Sequence, residues 1–209
     1  MGNRYVNEFL SLKCGPLVLE SVGILGHKPD KEISEAMGVI RKLREIVLHQ
    51  PDKYQLVDLC SGNALVPVIA AHLLPITKSY AIDKLVRRRR WNITRNFEYH
   101  ITDIFDERMH KFFKKPTILT AVHACSKTAV KTIEIFNENP NIEYLILIPC
   151  CEGDLNDPIS QFIKKESYAG LAWSNKLFMK CQGETKISKD NFIMSPKNHI
   201  IVSSKKKET

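Results

Sequence analysis

No stretch of this 209-residue chain is long and apolar enough to cross a bilayer; the longest apolar run, residues 64 to 74, is broken by Pro67 and His72. A membrane-spanning protein is therefore not expected. The opening residues, M-G-N-R-Y-V-N-E-F, lack the charged-then-apolar order of a signal peptide, and Val6 stands where a myristoylation site carries Ser or Thr. None of the six cysteines forms a C-x-x-C pair, which argues against a zinc site and leaves reduced thiols in a cytoplasmic protein as the simplest reading. Internal repeats and low-complexity linkers are also missing. With 44% hydrophobic and 26% charged residues, the composition is that of one globular core or a core with an appendage. Positive charge is what the chain has in excess: the formal net charge is +8 and the isoelectric point near 9.2, which favours a polyanionic partner, nucleic acid being the commonest.

The first 53 residues read as a helical extension. A helix from about Asp30 to His49 places Ile33, Met37, Ile40, Leu43 and Val47 on one face and Lys31, Glu35, Lys42 and Glu45 on a solvated one, with Asp30 as the expected N-cap. Pro16 to Leu25 suggests a second, shorter helix. From Tyr54 the pattern alternates. Strands are expected at Gln55–Leu59, Ser79–Ile82, Glu98–Ile101, Ile118–His123 and Tyr144–Ile148, with helices at Leu65–Leu74, Lys84–Asn96, around Asp106–Phe113 and at Thr128–Asn137. Such alternation predicts an α/β fold: a mostly parallel sheet covered by helices on both faces. A polar helix near Pro158–Tyr168 follows. The segments F-I-M and N-H-I-I-V-S-S, joined by S-P-K, are expected to close the sheet as an antiparallel hairpin, making 54–204 one domain and 205–209 a basic, disordered tail.

In an open α/β sheet the carboxyl ends of the strands line the ligand crevice. The first strand ends at Asp58 and breaks into small residues, Cys60, Ser61, Gly62 and Ala64, where a ligand meets main chain and a helix N-terminus; Ser61 is a candidate cap for that helix. The second ends at Asp83, 25 residues on, where a carboxylate accepts hydrogen bonds from a ribose diol or caps the next helix. The third offers Asp103, suited to an adenine amino group, with Ile104 packing on the ring. The fourth ends at His123 and Cys125, and the fifth at Pro149, Cys150 and Cys151, with the two thiols at the mouth.

Taken in order, D-L-C-S-G-N-A, A-I-D-K, H-A-C-S and I-P-C-C-E-G resemble the class I S-adenosylmethionine-dependent methyltransferases, whose sheet is Rossmann-like. The likeness is nearest to the branch with H-A-C-G and P-C-C motifs, which includes the methyltransferase-like domain of the glutathione S-transferase C-terminal domain-containing protein. It is more distantly similar to tRNA ribose 2′-O-methyltransferases. The resemblance covers Tyr54 to Gly153 and implies S-adenosyl-L-methionine as cofactor. It would place Asp58 and the turn Cys60, Ser61, Gly62, Asn63 and Ala64 beside the methionine part. Asp83 and Lys84 would meet the ribose, Asp103 and Ile104 the adenine, and His123 and Ala124 would lie beneath the methyl donor. The family turn often reads G-x-G-x-G, whereas this chain has Cys60, Gly62 and Ala64, and Ser126 replaces a frequent Gly or Asp.

Methyl transfer from a sulfonium asks the protein mainly to align the acceptor and remove a proton. His123 is the base among the strand ends. A second mechanism would use Cys125 and Cys150 as the nucleophile and release thiols of an RNA cytosine-C5 methyltransferase. Arg87, Arg88, Arg89 and Arg90, expected on a helix, would grip successive phosphates, with Trp91 stacking on a base or packing on the sheet. Pro149 and Cys151 complete the acceptor side. RNA, for instance tRNA or rRNA, is the expected acceptor. The alternative is a non-catalytic module of the same fold that holds RNA or a protein partner.

Overall fold

The computed structural model describes residues 2–23, 26–150, 152–166 and 168–205. Three helices open the chain: α1 (Arg4–Leu10), α2 (Gly15–Val22) and α3 (Pro29–Val47). The Asn3 side chain caps α1 by accepting from the Tyr5 and Val6 amides. α3 begins one residue before the expected Asp30, because Pro29 supplies a pre-set φ at the first helical position; Asp30 and Glu32 then face the positive end of the helix dipole.

The sheet follows as β1 (Gln55–Leu59), α4 (Leu65–Leu73), β2 (Lys78–Asp83), β3 (Phe97–Ile101), β4 (Thr117–Ala124), α5 (Lys127–Glu138) and β5 (Ile142–Pro149). Then come α6 (Pro158–Glu166), α7 (Ala169–Phe178), β6 (Glu184–Lys189) and β7 (His199–Ser204). The strand order is β3-β2-β1-β4-β5-β7-β6, with β1 to β5 parallel and β7 antiparallel to both neighbours. This is the Rossmann-like α/β sheet with its terminal antiparallel hairpin. The chain reverses direction across the sheet between β1 and β4, and the ends of those strands form the crevice.

All five residues of β1, Q-L-V-D-L, are buried, which explains why it shows no alternation of apolar and polar residues. One side of the sheet packs α1 to α4: Tyr5, Phe9, Met37, Ile40 and Leu43 share a cluster with Leu56, Ile69 and Ile146. The other packs α5 and α7: Ile133, Phe136, Trp173 and Leu177 meet Val57, Leu59, Leu119 and Leu145. Each such large side chain contributes roughly 1.5–3 kcal/mol on burial. The N-terminal helices thus form part of the same core as the sheet.

Several elements differ from the sequence reading. Residues 84–90 form no helix, and only Trp91–Ile93 makes a 3-10 turn. Asp83 accepts from the Leu85 amide at 2.9 Å, as an N-cap would, but no helix follows: Arg87 is held by Asn63, Arg90 by Glu20 and Trp91 by Tyr99, and four adjacent arginines gain nothing from being stacked on one helix. The segment around Asp106–Phe113 is also a 3-10 helix, Glu107–Phe112. The hairpin pairs β7 with β6, while Phe192–Met194 lies in the connection. That connection is clamped to the N-terminal helices: Asn3 Nδ2 donates to the Phe192 carbonyl at 2.7 Å, the Met194 amide to Ser34 Oγ at 2.9 Å, and Tyr5 Oη to Asp190 at 2.6 Å. α7 had no counterpart in the sequence reading. Lys205, expected in a loose tail, donates to the Asn139 carbonyl at 2.5 Å; Lys206 to Thr209 lie outside the described residues. Among the described residues no helix is long and apolar enough to cross a membrane.

Candidate functional site

The turn after β1 carries three residues in the left-handed region, Cys60 (φ 54°), Gly62 (φ 53°) and Ala64 (φ 59°). This triple reversal turns the chain from β1 into α4 within five residues and points the Gly62 amide at Asp83, which accepts at 2.8 Å. Ala64, not Ser61, stands at the N-cap of α4; the Ser61 hydroxyl instead donates to Asp58 at 2.5 Å, drawn there by a buried carboxylate. Nothing lies within 4 Å of a Cβ built on Gly62, so a methyl there meets only backbone strain. Gly62→Ala is therefore expected to destabilise the protein by about 1–2 kcal/mol, read from urea unfolding midpoints; an unchanged midpoint would contradict a fixed left-handed turn.

Two cavities flank Cys60. The first, about 310 Å³, is lined by Asp58, Cys60, Ser61, Gly62, Asn63, Arg87 and His123, and on its far side by Lys31, Glu32 and Glu35 of α3. The second, about 230 Å³, lies over the ends of β2 and β3 and is lined by Asp83, Lys84, Asp103 and Ile104, with Leu85, Thr102, Phe105 and Thr128. Cys60 borders both, and burial pushes its thiol up to about 11, so it is a neutral wall. Burial likewise pushes Asp58 up to about 7, against the lowering effect of the Ser61 and Thr120 hydroxyls that donate to it.

His123 occupies the register shift between β4 and β5 and has φ 59°. A bulge that turns one residue out of the ladder re-aims its side chain, and here the imidazole enters the first cavity. Its Nε2 lies 2.7 Å from Glu35 Oε2, while Lys31 Nζ approaches the other oxygen at 3.5 Å. Glu35 is only 2% exposed, although the helical pattern placed it on a solvated face. The only sequence signal for it was its position between Ile33 and Met37 near the apolar stripe. Lys31 and Glu32 were missed for the same reason, and Thr128 and Phe105 because they follow strand ends by several residues.

Other expected site residues lie elsewhere. Ala64 and Ala124 are fully buried in the core and border neither cavity, so the methyl at position 64 does not fill ligand space. Cys125 and Cys150 follow the paired residues Ala124 and Pro149 on adjacent strands; their Sγ atoms are 2.8 Å apart, and neither they nor Pro149 line either of these two cavities. Cys151 lies outside the described residues. Among the described residues no group of His, Cys, Asp and Glu is placed to hold a metal ion. The arginine run does not form the expected helical ladder. Arg87 donates to Asn63 at 3.2 Å, Arg90 pairs with Glu20, Arg89 lies against Gly23, and Arg88 is exposed. Trp91 stacks on Tyr99 of β3 with ring centroids 4.9 Å apart, which settles it on the sheet edge.

Residues 28–158, well over half of the chain, match the family described as a methyltransferase domain. No curated protein matches the sequence. Among solved structures, the methyltransferase domain of bacterial CtHen1 is similar with a TM-score of 0.51 and 10% identity, over 83% of this chain and 99% of that one. The DszA carbon methyltransferase is similar with a TM-score of 0.50 and 9% identity, over 92% of this chain and 57% of that one. At such identities the likeness is one of fold, and it agrees with the strand order above. The sheet, the crevice at its switch point and the family match together identify the chain as a member of the methyltransferase-domain family.

Proposed function

We propose that the protein is an S-adenosyl-L-methionine-dependent methyltransferase whose acceptor is RNA. The observation that carries the cofactor is the pair of neighbouring cavities that share Cys60 as a wall, with carboxylates of Glu35, Asp58 and Asp83 along them. An acidic, elongated crevice suits a ligand that carries a sulfonium and an ammonium at one end and a nucleoside at the other. Asp58 and Lys31, with the turn amides, would hold the amino-acid part. Asp83 would take the ribose, and Asp103 with Ile104 the adenine. When bound, the cofactor supplies an electrophilic methyl group. The chain's own residues then orient the acceptor and take its proton, and His123, aimed into the first cavity by its bulge, is the group for that. Cys125 and Cys150 remain the second mechanism, with less support because they border neither cavity.

RNA is supported by the net charge of +8 and by the arginine run beside the first cavity, of which Arg87 lines the wall and Arg88 is exposed. Calorimetric titration with S-adenosylhomocysteine tests the cofactor: micromolar binding supports the enzyme, and none from folded protein leaves a non-catalytic module that binds RNA or a protein. For RNA, an Arg87→Ala/Arg88→Ala variant is expected to reduce the slope of log affinity against log salt by about 0.7 per lost single-strand phosphate contact. An unchanged slope, measured by filter binding to total cellular RNA, would place the nucleic acid elsewhere.

A further inference from the structure

We propose that Glu35 is the positioning residue of His123: a carboxylate delivered by helix α3 holds the imidazole so that Nδ1 receives the acceptor's proton. This rests on reading the first cavity as the methyl-transfer site.

A carboxylate that is 2% exposed persists in a folded protein when a specific partner compensates its desolvation. Glu35 has two candidate partners. His123 Nε2 stands 2.7 Å from Oε2, and Lys31 Nζ stands 3.5 Å from Oε1. The histidine is held there by a left-handed residue within a strand irregularity, a conformation that persists only where the surroundings impose it and that is found disproportionately at functional sites. Two elements remote in sequence therefore converge on one contact. Glu35 Oε1 and both ring nitrogens of His123 are buried without an aligned hydrogen bond among the described residues, so the pair is close but not yet in line. Catalytic pairs commonly align fully only around a ligand.

The step is a proton transfer. The X–H bond of the acceptor hydroxyl or amine breaks, and its electron pair stays on X as the nucleophile. The proton bonds to Nδ1 while Nε2–H, brought into line around the ligand, donates to Oε2. The imidazolium so formed faces a carboxylate already in place. Asp58 of β1, Arg87 after β2, and Lys31 and Glu32 of α3 are the other charged groups lining this cavity.

The deciding experiment is nitrogen-15 NMR of histidine-labelled protein at pH 8.5, with and without saturating S-adenosylhomocysteine. The Nε2–H tautomer of His123 is expected in the wild type. In Glu35→Met, which offers Nε2 no acceptor, the population should move toward Nδ1–H, and Glu35→Asp should be intermediate. With labelled methyl donor and total cellular RNA as probe, Glu35→Gln should lower kcat about 10- to 100-fold with KM within twofold, and His123→Asn combined with it should add little. Retention of the full Nε2–H population in Glu35→Met overturns the proposal. So does a tenfold loss of S-adenosylhomocysteine affinity with the tautomer unchanged, which would make Glu35 a cofactor contact. If the wild type fails to bind S-adenosylhomocysteine, the enzyme reading falls, while the tautomer shift still decides whether Glu35 orients His123.

Discussion

Asp83→Ala is expected to weaken S-adenosylhomocysteine binding at least about 100-fold, equivalent to roughly 2.7 kcal/mol. Asp83 is 8% exposed and does two structural things before any ligand arrives. It accepts from the Gly62 amide at 2.8 Å, pinning the left-handed turn after β1, and from the Leu85 amide at 2.9 Å, fixing the start of the segment that lines the second cavity. Its carboxylate lines that cavity, where a ribose diol would donate to its remaining lone pairs. Alanine removes the ligand contact and leaves two backbone donors without their acceptor, each worth about 1–3 kcal/mol when buried. Asp83→Asn separates the two effects. It keeps an acceptor for one amide, so the fold should survive while affinity still falls. A calorimetric affinity for Asp83→Ala within threefold of wild type would remove Asp83 from the site.

The second large effect concerns Asp58 and pH. Its folded pKa, about 7, stands above the ordinary value of 3.8, chiefly because burial penalises the charged form; the nearby Asp83 adds to this, and the hydroxyls of Ser61 and Thr120 oppose it. A group raised in this way contributes stability that is fully present below pH 4. That contribution is lost as the pH rises to 7, and the profile is flat beyond. The gap corresponds to at most roughly 4 kcal/mol. Asn cannot ionise, so Asp58→Asn should be less stable than wild type at pH 4.5 and should gain on it by up to roughly 3 kcal/mol by pH 8, read from urea unfolding at both values. Parallel pH profiles would refute the buried, neutral carboxylate. The same titration bears on ligands. A cation in the first cavity, which Glu35, Glu32, Lys31, Arg87 and His123 also face, favours ionised Asp58. Affinity for S-adenosylhomocysteine should therefore rise between pH 6 and 7 and level off above, with proton release near pH 7 seen as a buffer-dependent binding enthalpy.

Short-range pattern made much of this protein legible in advance. β1 to β5 were readable because short segments rich in apolar, β-branched and aromatic residues alternate with helical stretches between turn residues, and α3 because its apolar positions recur with the helical period. The small-residue turn and Asp83 were readable because both sit one residue from a strand end. β6, E-T-K-I-S-K, was not, since it is an edge strand with mostly exposed side chains and no apolar face to announce it. The arginine segment misled because residue types that favour helices do not form one when Arg87 is held by Asn63, Arg90 by Glu20 and Trp91 is drawn onto Tyr99.

The sequence by itself thus determined the fold class, the place of the crevice and the carboxylates at the strand ends, because each depends on residues a few positions apart. Only the tertiary structure decided that Glu35 faces His123. That contact joins residues 88 positions apart, and the helical period assigns Glu35 to the polar side of α3. What buries it is the packing of α3 against β4 and α4, and a carboxylate brought there must find a partner.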